Sequence, residues 1–337
     1  MKKIQFISAL IIVCSLLTVN AQTKTHYRIA NKIHLDGDEK WDYLYSDDAA
    51  SRLYVSHGTM VQVVDETTGK LTGTITGMKG VHGIAIVSDL NKGYISSGKD
   101  TLVTVFDTRT LKVITRITLS GLGPDAIRYD PFSKKVFVFN GKSNNSTVID
   151  PATDKIVATI PLAGKPEFAV SDEKGKIYVN FEAESQICEI NTVTLKPENV
   201  WPLAPGEEPT GLALDNETHR IFSVCNNKIM VIVDALSGKV ITTLPIGEKT
   251  DGAAFDPELK CAYSSNGDGT LTIVEEDNKD SFEVSENLQT QKGAKTIAVN
   301  KITHHIYMSA ADFEAAQAGE KPKIVPGTFV VLDIVNK

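Results

Sequence analysis

The chain has 337 residues, 42% hydrophobic and 23% charged, a balance that suits a globular protein made of one large all-β domain or two ordinary ones. Its formal charge is −7, which argues against nucleic acid or an anionic membrane surface as the main partner, because both demand a basic face.

Residues 1–21 read as a signal peptide: Lys2-Lys3, an apolar core from Ile4 to Leu17, and the small-residue site Val19-Asn20-Ala21 before Gln22. The apolar core is too short to span a bilayer, so an exported protein, periplasmic or secreted, with no membrane insertion after cleavage is expected. Beyond it stand Cys188, Cys225 and Cys261, with no CxxC pair. A disulfide framework would use more cysteines, and these read as small core residues.

From Tyr27 onward the chain is a succession of short β-like runs closed by Gly, Pro, Asn and Asp. The stretch Gly121–Gly164 shows the pattern well: IRY, VFVF, TVID and IVATIPL, each followed by a turn. That unit recurs. Seven segments repeat its first two strands: YLYSDDAASRLYVS (43–56), GIAIVSDLNKGYIS (83–96), AIRYDPFSKKVFVF (126–139), FAVSDEKGKIYVN (168–180), GLALDNETHRIFSV (211–224), GAAFDPELKCAYSS (252–265) and TIAVNKITHHIYMS (296–309). The residues just before them, Asp42, His82, Asp125, Glu167, Thr210, Asp251 and Lys295, are spaced 40 to 44 residues apart. Four strands at a period near 42 are the mark of propeller blades. The expected fold is therefore all-β, a seven-bladed β-propeller of four-stranded antiparallel blades in one domain, residues 22–337. The seventh copy lacks a fourth strand, and YRIANKIHL (27–35) is expected to supply it, closing the ring from the N-terminal end.

The second strands LYVS, VFVF and IYVN, the TVID third strand and the DxxTxK turns (Asp65-Thr68-Lys70, Asp107-Thr110-Lys112) make the mature chain resemble the YVTN-repeat β-propeller family. That resemblance implies an exported propeller. Families of this type include binding and scaffold proteins, and similar rings occur in lactonases and in propeller subunits of quinone or copper oxidoreductases, so it leaves the activity open.

In a propeller the first strands line the central channel, and the residues entering them ring one mouth. Six of the seven here are ionisable. The second-to-third strand loops on the same face add His57, Asn140, Asn226 and Asn266, and Trp41 precedes Asp42. The expected ligand site is Trp41, Asp42, His57, His82, Asp125, Asn140, Glu167, Asn226, Asp251, Asn266 and Lys295. His57 and His82 belong to adjacent blades and are expected to meet, and with Asp42 and Asp125 they form a mixed N/O set suited to a divalent metal ion. The competing reading is a polar lining that bonds only blade to blade. The Asn266–Gly269 loop reads as turn chemistry, and the aspartates Asp65, Asp107, Asp150 and Asp234 read as turn caps on the opposite face.

Blade seven carries a long insertion, residues 309–327, read as a rim or lid over the mouth with a short helix over Ala310–Ala318. There is no GxSxG elbow, Walker loop, HExxH or CxxCH, and nothing supports covalent catalysis. Three functions remain. One is a monomeric exported binding or scaffold protein that engages a small polar ligand or a protein partner at the mouth. Another is a lactonase-like hydrolase using a metal held by His57, His82 and nearby carboxylates. A partner subunit in electron transfer is a third.

Overall fold

The structure is a computed structural model that describes residues 26–315 and 322–337. The expected signal peptide and the tip of the blade-seven insertion lie outside the described residues. The described chain forms seven four-stranded antiparallel sheets arranged as a ring of blades. The inner strands are Trp41–Asp47, Val81–Val87, Pro124–Asp130, Pro166–Ser171, Pro209–Asp215, Thr250–Asp256 and Ile297–Val299.

Blade three shows why these sequences form blades. Its second strand, Lys135–Asn140 (KVFVFN), is buried from Val136 onward, and its third, Asn145–Asp150, is buried at every residue except the ends. Both are sandwiched between neighbouring blades, so they are buried on two faces and lose the alternation of a half-exposed strand. The fourth strand, Lys155–Pro161, is mostly exposed at the rim, and alternates accordingly. The core consists of apolar clusters wedged between adjacent blades. One packs Tyr54 and Val63 of blade one against Ile84, Ile95 and Phe106 of blade two.

The ring closes as expected from the repeat. Tyr27–His34 pairs antiparallel with Val330–Asn336, from Tyr27↔Asn336 to His34↔Val330, completing the blade that begins at Ile297. Tyr27 also hydrogen-bonds Tyr263 of blade six, hydroxyl to hydroxyl at 2.9 Å. The pairing ties the two ends of the described chain into one sheet, so opening the ring would have to break it.

The turn aspartates are capped turns. Asp65 Oδ1 accepts the Thr68 amide at 2.8 Å, and Asp107 Oδ1 accepts the Thr110 amide at 2.8 Å, the side-chain-to-backbone bond that favours Asp at this position. Cys188, Cys225 and Cys261 are free and buried. Blade seven departs from expectation: of the helix expected over Ala310–Ala318, the described residues Ala310 to Ala315 are not helical. The chain continues extended, and Phe313 bridges Ile324 in a small antiparallel pair, tied by Glu314 N–H to Lys323 O and Val325 N–H to Asp312 O, both 2.9 Å. Phe313 packs against Trp41 with ring centroids 6.0 Å apart, and this apolar anchor favours a hairpin over an isolated helical turn.

Candidate functional site at the channel mouth

The ring residues occupy equivalent places for a structural reason. Each of the first six inner strands breaks register with its partner just where the ring residue lies: between Trp41 and Leu44, Val81 and Ile84, Pro124 and Ile127, Pro166 and Ala169, Pro209 and Leu212, and Thr250 and Gly252. Such bulges leave a residue out of the ladder and re-aim its side chain. Proline opens three of these strands, where its missing N–H costs no ladder bond. The ring backbones are then pinned from the preceding blade. Ser56 donates to the carbonyl of His82, Ser96 to that of Asp125 at 2.5 Å, Asn180 to that of Thr210 at 2.9 Å, and Ser265 to that of Lys295 at 2.7 Å.

Two clusters stand at the mouth. In the first, His82 Nδ1 donates to Asp42 Oδ2 at 2.5 Å and lies 3.6 Å from Asp125 Oδ1. One ligand atom from each of Asp42, His82 and Asp125 falls within 4.8 Å of the others. In the second, Lys295 Nζ meets Asp251 Oδ2 at 2.6 Å. Glu167 is held by Lys165 at 3.1 Å, and Lys165 also pairs with Glu182. Asp42, Asp125, Glu167 and Asp251 line one cavity of about 170 Å³ with Lys295.

Their charges are mutually perturbed. Burial pushes the Asp125 carboxyl up to about 7, and the Asp42 and Asp251 charges push the same way, against His82. Burial likewise pushes Glu167 up to about 8, helped by Asp125 and Glu182 and opposed by Lys165. Burial alone would lower His82, but the Asp42 hydrogen bond and the Asp125 charge outweigh it and raise the imidazole to about 9. At neutral pH the mouth therefore holds a charged imidazolium and carboxyls that still keep protons. Once His82 gives up a proton, Asp42, His82, Asp125 and the neighbouring carboxylates supply the N and O donors that a divalent ion takes, on side chains that are only partly exposed.

The structure separates the expected site residues into two groups. Asp42, His82, Asp125, Glu167, Asp251 and Lys295 converge on the mouth, with Thr210. The others do not join them. His57 is fully buried, its Nδ1 at 3.0 Å from Gln62 Oε1 and its Nε2 at 2.9 Å from the Glu39 carbonyl, and its ring lies 4.0 Å from that of Phe329. Both nitrogens are committed, so His57 does not join His82 in a two-histidine set. Asn140 is fully buried and donates to Asn145 Oδ1 at 2.7 Å and Thr147 Oγ1 at 3.0 Å. Asn266 is fully buried, donates to Thr270 and Thr272, both at 3.1 Å, and accepts from Ser264. Asn226 donates to Glu208 at 3.1 Å. Trp41 packs between Phe313 and Phe329. His57, Asn140, Asn226 and Asn266 sit at or just beyond the end of a second strand, where nearby backbone and side-chain groups need a partner, and that pairing wins; Trp41 is taken up by aromatic packing.

Sequence reasoning missed Lys165, Tyr43, Phe168 and Gly98. Tyr43 and Phe168 stack at 5.5 Å with an interplanar angle of 17°, and line both the mouth cavity and a second one beneath it. Their signal was in the alignment: the position after each ring residue reads Tyr43, Gly83, Ala126, Phe168, Gly211, Gly252 and Thr296, with aromatics in two blades only. Gly98 makes room for the imidazole, since a Cβ there would come within 2.7 Å of His82 Nε2.

No family model matches the chain, and no curated protein matches it. Among solved structures it is similar to Kuenenia stuttgartiensis hydrazine synthase, at 17% identity and a TM-score of 0.72, over 82% of this chain and 94% of that one. At that identity the likeness is one of fold, and what it establishes is the seven-bladed β-propeller.

Proposed function

We propose that the chain is an exported, periplasmic or secreted propeller of the YVTN-repeat type, a binding protein whose mouth takes a small polar ligand carrying positive charge. One observation carries this reading: four carboxylates from four blades converge on a cavity of about 170 Å³ with a single lysine on its wall. Asp125 and Glu167, raised to about 7 and about 8, retain protons because burial penalises their charged forms and the neighbouring carboxylates add to that penalty. A cation entering the mouth replaces those protons, so binding releases them. The signal-peptide-like residues 1–21 and the repeat motifs support export and the family; a protein partner presenting a lysine or arginine satisfies the same chemistry.

Calorimetric titration with putrescine at pH 7.5, in two buffers of different ionisation heat, tests it. Binding with a buffer-dependent heat, showing proton release, is the expected result. No heat with millimolar putrescine, cadaverine or arginine rejects the reading.

A second reading is favoured by the Asp42–His82–Asp125 group, whose ligand atoms lie within 4.8 Å of one another, an arrangement that suits a divalent ion that activates water for hydrolysis of a lactone or ester. It predicts stoichiometric metal in the purified protein by native mass spectrometry, a lower melting point on chelation, and metal-dependent opening of γ-butyrolactone. A bare apoprotein whose melting point no divalent ion moves ends that reading and leaves the first intact.

A further inference from the structure

Beneath the Tyr43–Phe168 stack, the channel opens into a second cavity of about 540 Å³, bounded by the inner strands of all seven blades. Its wall sets aliphatic and aromatic side chains among exposed polar atoms, and its volume lies in the range of small-molecule sites. Two cations line it, Arg128 on an inner strand and Lys301 in the turn after the Ile297–Val299 strand.

The repeat itself marks Arg128 as an exception. The residues that pair with the central aromatic of each second strand are Tyr45 (opposite Tyr54), Ala85 (Tyr94), Arg128 (Phe137), Val170 (Tyr178), Ala213 (Phe222), Ala254 (Tyr263) and Ala298 (Tyr307). Four blades use alanine, the residue that lets neighbouring inner strands approach, and a fifth uses valine. An arginine at this place is not required by the fold, and it puts a cation where burial penalises charge.

The side chain is held but not neutralised. Arg128 Nε donates to the Ala169 carbonyl at 2.6 Å, and the guanidinium lies over the Phe168 ring, 5.0 Å from its centroid. Among the described residues no carboxylate pairs with it, and neither terminal nitrogen has a hydrogen-bond partner. Burial lowers the guanidinium from its ordinary value, opposed by the nearby Tyr45 and Tyr43 phenols, with no carboxylate among the groups that act on it. With Nε occupied, the two terminal nitrogens form an end-on fork of the kind that matches a carboxylate. The carboxylates Asp48 and Glu173 outnumber the one cation, Lys301, at the outer part of the same cavity, and this net negative charge disfavours a dianion such as a phosphate monoester.

We infer that this half of the channel binds a small organic monocarboxylate with an apolar or aromatic body, its carboxylate forked on Arg128 and its body against Phe168, Tyr45 and the aliphatic wall. This site stands at the other side of the aromatic partition from the acidic mouth and does not depend on the reading of the mouth.

The probe is 4-phenylbutyrate, titrated calorimetrically into the full mature protein beside 4-phenylbutyramide and phenyl phosphate. The expected result is saturable binding of the carboxylate, with the neutral amide and the phosphate ester each at least tenfold weaker. Arg128→Gln should weaken phenylbutyrate at least tenfold, and Arg128→Lys, which keeps the charge and loses the fork, by an intermediate factor; circular dichroism and melting verify that each variant is folded. If Arg128→Gln does not fold, the comparison of the three probes on the wild-type protein decides alone. The inference is overturned if carboxylate and amide bind equally, if neither binds, if the phosphate ester binds tighter, or if folded Arg128→Gln binds phenylbutyrate as well as wild type.

Discussion

His57 and His82 stand in adjacent blades and in sequence look like two halves of one site, yet they have opposite fates. His82 enters at a bulge in an inner strand, faces two carboxylates across the mouth, and keeps 30% of its side chain exposed. His57 ends a second strand, is fully buried, and spends both nitrogens on Gln62 and the Glu39 carbonyl. The same contrast separates Glu167 and Asp251 from Asn140 and Asn266. Inner-strand entries project into a space that no local backbone needs, so their charges act on one another across blades. Second-strand ends adjoin turns whose unpaired groups must be satisfied nearby, and polar side chains there are consumed as structure.

The largest effect that would break this contrast is on stability. His57→Ala removes a buried ring and leaves Gln62 and the Glu39 carbonyl without their partner, for an expected loss of about 3 kcal/mol, measured by urea denaturation. His82→Ala removes a partly exposed ion pair, with an expected change below about 1 kcal/mol. Equal losses for the two would mean that the mouth is structural. A sharper division comes from binding. Glu167→Gln should weaken putrescine at least threefold, whereas His82→Gln removes a positive neighbour and should leave the diamine bound as tightly or tighter, while any Zn²⁺ affinity falls at least tenfold.

The smallest effect is on melting temperature against pH. Asp125, Glu167 and His82 all have folded-state values above their ordinary ones, about 7, 8 and 9. Between roughly pH 4 and 9 the folded state therefore holds more protons than the unfolded state at these groups, and their contribution to stability falls as pH rises. The carboxyls act from about pH 4 to 8, and His82 from about pH 6.5 to 9. Scanning calorimetry should show the melting point declining from pH 5 to pH 9, and Glu167→Gln should flatten the decline and raise the melting point at pH 8 by about 2 °C. A flat profile, or one that rises, would mean that the mouth charges are screened from one another.

The blade count, the strand order within each blade, the N-terminal closure and the identity of the ring residues were all legible in the chain. Each follows from a local signal repeated seven times, and repetition averages out the ambiguity of any one strand. The turn aspartates were legible for the same reason, since an Asx turn is decided within four residues. The insertion in blade seven was not, because the hairpin of Phe313 and Ile324 depends on Trp41, more than 270 positions earlier in the chain.

What the sequence alone determined about this protein is a ring and the list of groups that each blade offers to it. Only the tertiary structure decided which of those groups meet. The distance between Asp42, His82 and Asp125, the stacking of Tyr43 on Phe168 that divides the channel, and the unpaired fork of Arg128 all join residues from different blades. Such contacts are set by how the inner strands approach around a common axis, a geometry to which every blade contributes and which no single repeat contains.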